Sequence, residues 1–275
     1  MNRTVRKFLK NPFNMIFLLI LISVLMVAVF PDLFARYGPY SMDYDAVLEG
    51  PSLKHLFGTD QFGRDIFSRC VFGLQKSVII AFSSILFASV IGTVLGLIAG
   101  YYGGVWDLII MRICDGFFAF PSLILALFIV ALFGSSLLNL IIAIGIVYVP
   151  IFARTVRGAT LSVRESLFVK ASKVIGKSNF KIMLTDVLLN LSSVLIVTFT
   201  TNLSTAFLTE ASLGFLGLSV PPPEPTLGGL VGQGTAFLLS APWITLFPGF
   251  VIAVVVLSLN ILGDGLRDVL DPKNR

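Results

Sequence analysis

Long runs without a charged residue alternate with short charged stretches along this chain. The uncharged runs cover residues 13–31, 77–106, 116–153, 187–209 and 225–263. A charge at the bilayer centre costs about 2.5–3.5 kcal/mol on insertion scales, so runs of this length indicate membrane spans. With a tight turn placed at 134–136, they predict six helices, at 13–30, 77–99, 108–133, 137–153, 187–208 and 243–262.

Composition supports the same class of protein. Of the 275 residues, 56% are apolar and 13% are charged, whereas a soluble domain has about 45–50% and about 25%. A water-soluble globule is excluded, because a surface so poor in charge would aggregate. We therefore expect an all-α polytopic membrane protein with six transmembrane helices.

Lys and Arg residues gather on one side of these spans. Fifteen of the twenty lie near the two termini, around 101–112 and in the loop 154–186. By the positive-inside rule this side is cytoplasmic, and so are both termini. No soluble basic domain exists to bind nucleic acid. The predicted regions are a tail (1–12), a first span (13–30), an extracytoplasmic segment (31–76), a five-helix domain (77–264) and a second tail (265–275).

Small residues recur at four-residue spacing in the second uncharged run, at Gly92, Gly96 and Gly100. Such a ladder lets another helix backbone approach closely. It predicts either a moving or pore-lining helix contact or static packing, and the pattern leaves both open. In the third predicted helix, Arg112 and Asp115 are three residues apart, which predicts an ion pair on one helix face.

The loop 154–186 is too long for a simple connection and has the pattern helix–break–helix. Leu167, Phe168, Ala171, Val174 and Ile175 form an apolar stripe at helical spacing. A short amphipathic helix of this kind either lies on lipid headgroups or inserts into a groove of a partner protein. The stripe alone does not decide between them.

Residues 171–178 come close to a phosphate-binding loop, with Gly176-Lys177-Ser178 at the end. The first Gly of that pattern is Ala171, and no apolar strand precedes it. We therefore expect this chain to bind no cofactor or metal and to be no enzyme. Any ATP and Mg must be bound by separate partner subunits.

Four segments together resemble a known family. Residues 163–190, VRESLFVKASKVIGKSNFKIMLTDVLLN, resemble the EAA loop of binding-protein-dependent ABC importers. HLFGTDQFGRDIFSR at 55–69 resembles the G-T-D-x-x-G-R-D signature of their dipeptide/oligopeptide/nickel subfamily. EASLGFLGLSVPPPEP (210–225) and the segment 242–272 resemble its later signatures. Order and spacing match over the whole chain, which is similar to the second, C-type, permease subunit.

The resemblance implies a type I ABC importer permease fold in a bacterial or archaeal-type plasma (inner) membrane. It implies a homologous second permease, two ATPase subunits and an extracytoplasmic substrate-binding protein as partners, besides the lipid bilayer. The chain would form half of a pore for di- and oligopeptides that works by alternating access. Nickel or a metal–chelator complex is the alternative cargo. A stand-alone, ATP-independent secondary transporter or channel is the alternative class, which the scarcity of charge in the spans disfavours.

The stripe and the EAA match together predict a helix at 165–179 that contacts an ATPase. The expected contact residues are Glu165, Phe168, Lys170, Ala171, Ser172, Gly176 and Lys177. Gly176 allows a bend or a close approach. Three positions depart from the family pattern, since Lys170 replaces a Glu, Leu189 a Pro and Asp186 a His.

The GTD motif, residues 58–65, contains Gly58, Thr59, Asp60, Gly63, Arg64 and Asp65. Asp60, Arg64 and Asp65 are expected to form a local charge network that seats the second helix. The alternative is a contact with the binding protein.

Overall fold

The structure is a computed structural model that describes residue 8 and residues 11–270. The rest of the two predicted tails lies outside the described residues. The described helices are α1 (Pro12–Val29), α2 (Pro31–Phe34), α3 (Ile66–Tyr102), α4 (Gly104–Phe118), α5 (Ser122–Phe133), α6 (Leu137–Arg164), α7 (Leu167–Val174), α8 (Asn179–Lys181), α9 (Ser192–Phe215), α10 (Leu227–Gly234) and α11 (Trp243–Leu270). A π-helical turn (Ile182–Val187) and a 3₁₀ turn (Leu188–Leu191) join α8 to α9, and another 3₁₀ turn (Thr235–Phe237) follows α10.

Five helical stretches are long and apolar enough to cross a membrane, namely α1, α3, α6, the stretch 179–215 and α11. Helices α4 and α5 meet the same criterion as a bent pair. The prediction of six spans therefore holds when this pair counts as one.

The second span starts earlier than its uncharged run. Helix α3 begins at Ile66 and not at 77, because the Asp65 carboxylate caps it by accepting a hydrogen bond from the Ser68 amide at 2.7 Å. Residues 66–76 are thus helical. With 37 residues, α3 is about 55 Å long, so it extends beyond a hydrocarbon core of about 30 Å.

The prediction of one continuous helix over 108–133 is wrong. The chain leaves helical geometry at 119–121, and α4 and α5 meet at 90°. Pro121 lacks an amide hydrogen and disfavours the helical conformation at Phe120, so the helix ends before it. A charge-free run does not reveal such a break, because the break contains only apolar residues.

The loop 154–186 is also shorter and more helical than predicted. Helix α6 continues to Arg164 instead of ending at 153. The last helix, α11, likewise continues past its predicted end, to Leu270 instead of 262. Charged positions in α6 stay helical because acidic groups and carbonyls of neighbouring helices accept hydrogen bonds from its arginines. The first charged residue after an uncharged run thus does not mark where the helix ends.

The glycine ladder lies in the interface between α3 and α6. A Cβ atom on Gly92 would lie 2.5 Å from the Phe152 Cβ, and one on Gly96 would lie 2.5 Å from the Ala153 carbonyl oxygen. At Gly100 it would lie 2.7 Å from the Thr160 Cβ. Only glycine permits this separation of the two backbones, so the ladder packs α3 tightly against α6.

Two buried apolar clusters complete the core. One lies between α3, α5, α6 and α9 and includes Ile85, Ala126, Ile144, Phe152 and Leu213. The other joins α1 to α3, α9, α10 and α11 and includes Ala28, Leu74, Phe207, Leu230 and Val255. The first helix is therefore attached to the rest of the bundle by apolar packing against other spans.

Candidate functional site

The coupling segment, residues 165–187, lies at the end of the bundle where α3 ends and α4 begins. Its helix α7 has eight residues, Leu167–Val174, and so is shorter than the predicted 165–179. Val169 is fully buried and packs in a cluster with Leu97, Tyr101, Ile182 and Val187. One inward residue therefore anchors α7 to the spans.

The opposite face of α7 is apolar and uncovered. Leu167, Val174 and Ile175 are exposed to 84%, 87% and 80%, and Phe168 to 47%. Exposed apolar side chains grouped in this way indicate a contact surface for a partner protein or for lipid. The predicted stripe thus faces outward in the isolated chain. Val169, which was not part of the stripe, is the residue that faces inward.

Ion pairs hold the coupling segment in shape. Lys177 Nζ donates to Asp186 Oδ1 and Thr185 Oγ1, both at 2.6 Å. Lys170 Nζ lies 3.3 Å from Glu165 Oε2. Two positions that depart from the family pattern, Lys170 and Asp186, therefore both have a partner inside the chain. Both pairs link residues of the segment itself.

Gly176 terminates α7. Its φ is +81°, in the left-handed region that glycine favours, and no atom would contact a Cβ there. After the turn, Asn179 Oδ1 accepts a hydrogen bond from the Tyr101 hydroxyl at 2.9 Å. The structure thus shows the predicted break. The Tyr101–Asn179 hydrogen bond ties the chain after the break to the end of α3.

Of the other predicted contact residues, Ala171 is exposed and Ser172 is half-buried.

Loss of the Lys177–Asp186 pair is expected to loosen the coupling segment. Lys177 Nζ donates to both Asp186 and Thr185, so Lys177→Met removes both hydrogen bonds. Amide hydrogen exchange of residues 172–187, corrected for intrinsic rates, should be faster in Lys177→Met than in the wild type.

Equal exchange rates in the two proteins would contradict the assigned role of the Lys177–Asp186 pair.

The GTD motif forms a compact turn before α3. Gly58 and Gly63 have φ values of +74° and +71°. A Cβ on Gly63 would overlap the Asp43 carbonyl, and one on Gly58 would lie 2.6 Å from the Glu49 carbonyl oxygen. The Thr59 carbonyl accepts a hydrogen bond from Trp243 Nε1 at 3.0 Å. The motif therefore connects the segment 35–65 to the start of α11.

A buried charge network lies inside this turn. Arg64 Nε donates to Asp60 Oδ2 at 2.6 Å, and Arg69 Nε lies 3.7 Å from the same oxygen. The Asp65 carboxylate caps α3 and also hydrogen-bonds His55 Nδ1 at 2.9 Å. The three predicted residues thus lie in two adjacent buried groups, one of Asp60 with Arg64 and Arg69 and one of Asp65 with His55.

Arg64→Ala is expected to destabilise the protein by about 3 kcal/mol, because it leaves the buried Asp60 carboxylate with weaker compensation. The side chains of the pair are only 7% and 3% exposed. Lys76→Ala breaks a half-buried pair with Glu224, which is far more accessible to water than Arg64–Asp60, and should cost about 1 kcal/mol or less. Equilibrium unfolding in detergent compares the two. Unchanged stability of Arg64→Ala, with loss only of stimulation by a binding protein, would favour the docking alternative.

One buried acidic residue had no predicted role. Glu210, in α9, is fully buried and accepts a hydrogen bond from Ser219 Oγ at 3.2 Å. It lies where α9 meets α10, since a Cβ on Gly228 would overlap the backbone of Ala211. The signal available in the sequence was a carboxylate next to a long uncharged run, because intramembrane acids need a partner.

The fold and these surfaces define a polytopic helical membrane protein whose spans carry a short exposed helix at one end. A family model described as "binding-protein-dependent transport system inner membrane component" matches residues 92–275. One described as "N-terminal TM domain of oligopeptide transport permease C" matches residues 1–51. The chain belongs to the family of binding-protein-dependent inner-membrane permeases, which are transport components.

Curated relatives match over nearly the whole chain. The dipeptide transport system permease protein DppC of Alkalihalophilus pseudofirmus is 46% identical over 96% of this chain and 87% of its own length. The glutathione transport system permease protein GsiD of Escherichia coli is 44% identical over 98% of this chain and 89% of its own length. The predicted membership of the ABC permease family is confirmed.

A solved structure shares the fold. The MetNI methionine ABC transporter in an inward-facing conformation aligns with a TM-score of 0.59 at 22% identity, over 73% of this chain and 96% of the matched chain. This similarity confirms the predicted type I ABC importer permease fold.

Proposed function

We propose that this chain forms half of a pore that imports di- and oligopeptides by alternating access. The support for peptide cargo is the near full-length identity with permeases named for dipeptide and glutathione transport. The support for ATP-driven motion is the exposed apolar face of α7, held rigidly at the ends of α3 and α6.

The proposed assembly contains a homologous second permease and two ATPase subunits, which bind the ATP and Mg. An extracytoplasmic binding protein delivers peptide at the end opposite the coupling segment. Both termini are cytoplasmic, and the membrane is a bacterial or archaeal-type plasma membrane. This chain itself does no chemistry and binds no cofactor. Each ATPase binds the coupling helix more tightly in one of two positions, and this difference in affinity moves the helix.

A partner groove fits α7 better than a lipid surface does. The helix is only eight residues long, and an anchor at Val169 and the Lys177–Asp186 pair hold its orientation. A preformed surface of this kind lowers the ordering cost of binding a protein partner. Helix-in-groove recognition uses apolar anchors at spacings of three, four and seven residues, and Leu167 and Val174 have the last of these.

Reconstitution tests the proposal. The chain is co-expressed with its sister permease, two ATPases and binding protein, and the purified complex is placed in proteoliposomes. Uptake of a labelled dipeptide that requires both ATP and the binding protein is the expected result. Uptake without ATP would support a secondary transporter, and nickel uptake without peptide uptake would support the metal alternative. Mass spectrometry of the purified complex identifies its subunits, and a lone homodimer would contradict the assembly.

A further inference from the structure

Two arginines of α6 hold α4 in place, one near the start of α4 and the other near its end. Arg157 donates from Nε and Nη2 to the two carboxylate oxygens of Asp107, at 2.5 and 2.6 Å. Arg154 Nη2 donates to Asp115 Oδ1 at 2.6 Å. Asp107 lies in the first turn of α4, and Asp115 in its last turn. The predicted pairing of Asp115 with Arg112 is therefore replaced by a pairing between helices.

Arg154 also contacts the bend that follows α4. Its guanidinium lies 4.2 Å from the ring centroid of Phe118, the last residue of α4. Cation–π contact of this kind stabilises a guanidinium over an aromatic face. The same side chain thus holds both the acidic group in the last turn of α4 and the residue at which the chain turns by 90° toward α5.

Apart from the arginines, one small apolar cluster attaches α4 to the bundle, in which Ile110 and Cys114 pack with Ala99 of α3 and Ala153 of α6. Only Ile110 and Cys114 are buried within it. Val105, Trp106 and Leu108 are exposed to 71%, 60% and 61%. A bidentate arginine–carboxylate pair adds directional strength that apolar contact lacks. The position of α4 relative to α6 therefore depends strongly on the two arginines.

The end of α6 that carries these arginines leads directly into the coupling helix. Only Glu165 and Ser166 separate α6 from α7. A third arginine, Arg164, donates to the carbonyl oxygens of Gly100 and Tyr101 at 3.1 and 3.2 Å, at the end of α3. At the other end of α4, the bend leads to α5, which contributes Ala126 and Val130 to the core. A displacement of α7 thus has a continuous path to the broken span.

We propose that Arg154 and Arg157 are positioning residues that transmit the motion of the coupling helix from α6 to α4 and to the bend between α4 and α5. This inference rests on the proposed function, since it requires a partner that moves α7. The ion pairs would couple ATP use to opening of the pore and would not merely add stability.

A charge exchange tests the transmission. In the reconstituted complex, Asp107→Arg and Arg157→Asp alone should lower the peptide transported per ATP hydrolysed by at least fivefold, while ATP hydrolysis continues. The double variant should return the ratio to within twofold of the wild type. Exchange of Lys76 and Glu224, a half-buried pair in another part of the bundle, should leave the ratio unchanged. Normal ratios in the single variants, or no rescue in the double variant, would overturn the proposal.

Two additions keep the test decisive. If the single exchanges fail to assemble, Arg157→Lys retains the charge without the bidentate geometry, and it should lower the same ratio more than Lys76→Arg does.

Phe120→Cys, in a chain that also carries Cys70→Ala and Cys114→Ala, reports on the bend in the absence of peptide. Its alkylation rate should change with ATP and vanadate in the wild-type background and should not change in Arg157→Asp. No ATP-dependent change in the wild-type background would overturn the inference, whereas a change without peptide uptake would overturn only the cargo assignment.

Discussion

Gly96→Leu is expected to destabilise the chain by about 3 kcal/mol or more, because the side chain would be forced between two helix backbones. Its Cβ alone would lie 2.5 Å from the Ala153 carbonyl oxygen and 2.7 Å from the Val156 Cβ. Neither backbone can move away without separating α3 from α6 along their shared length. Equilibrium unfolding in mixed micelles measures the loss, and the yield of correctly inserted protein should fall with it.

The matched control is Gly158→Leu. Gly158 lies in α6 itself, but no atom lies within 4 Å of a Cβ placed there. Leucine has a higher helix propensity than glycine, so this variant should be neutral or slightly more stable. Similar losses in the two variants would show that exchanging a helix glycine for leucine is destabilising by itself, and the close packing at Gly96 would then not be the cause.

Leu167→Asp is expected to reduce ATP-dependent uptake by at least tenfold while leaving the fold of the chain intact. The side chain is 84% exposed and lies on the uncovered apolar face of α7. A carboxylate there would be buried without a partner once an ATPase groove closes over the helix, which costs several kcal/mol of binding free energy. Co-purification of the ATPases and uptake in proteoliposomes provide the two measurements.

Leu239→Asp controls for the loss of an exposed leucine. Leu239 is fully exposed and lies between α10 and α11, outside the coupling segment. It should leave ATPase association unchanged. If Leu167→Asp retained both its ATPases and wild-type uptake, the apolar face of α7 would not be the docking surface, and the lipid alternative would gain support.

The chemistry of single positions explains why some features were predictable from the sequence. A span must lack charge, a left-handed turn favours glycine, and a helix start favours a capping carboxylate, as at Gly176 and Asp65. Helix ends in charged stretches were less predictable. Helix α6 continues past 153 because Asp107 and Asp115, distant in sequence, pair with its arginines.

By itself, the sequence determined the membrane class, the number of spans and the place of the coupling segment, because hydropathy and turn chemistry act locally along the chain. The tertiary structure alone decided that Asp115 pairs with Arg154, that Phe120 and Pro121 lie at a 90° bend, and that Val169 faces inward. Each of these depends on which helices meet, and several pairings satisfy the same local pattern. Packing selects among them, as where the backbone of α6 approaches α3 closely at Gly96.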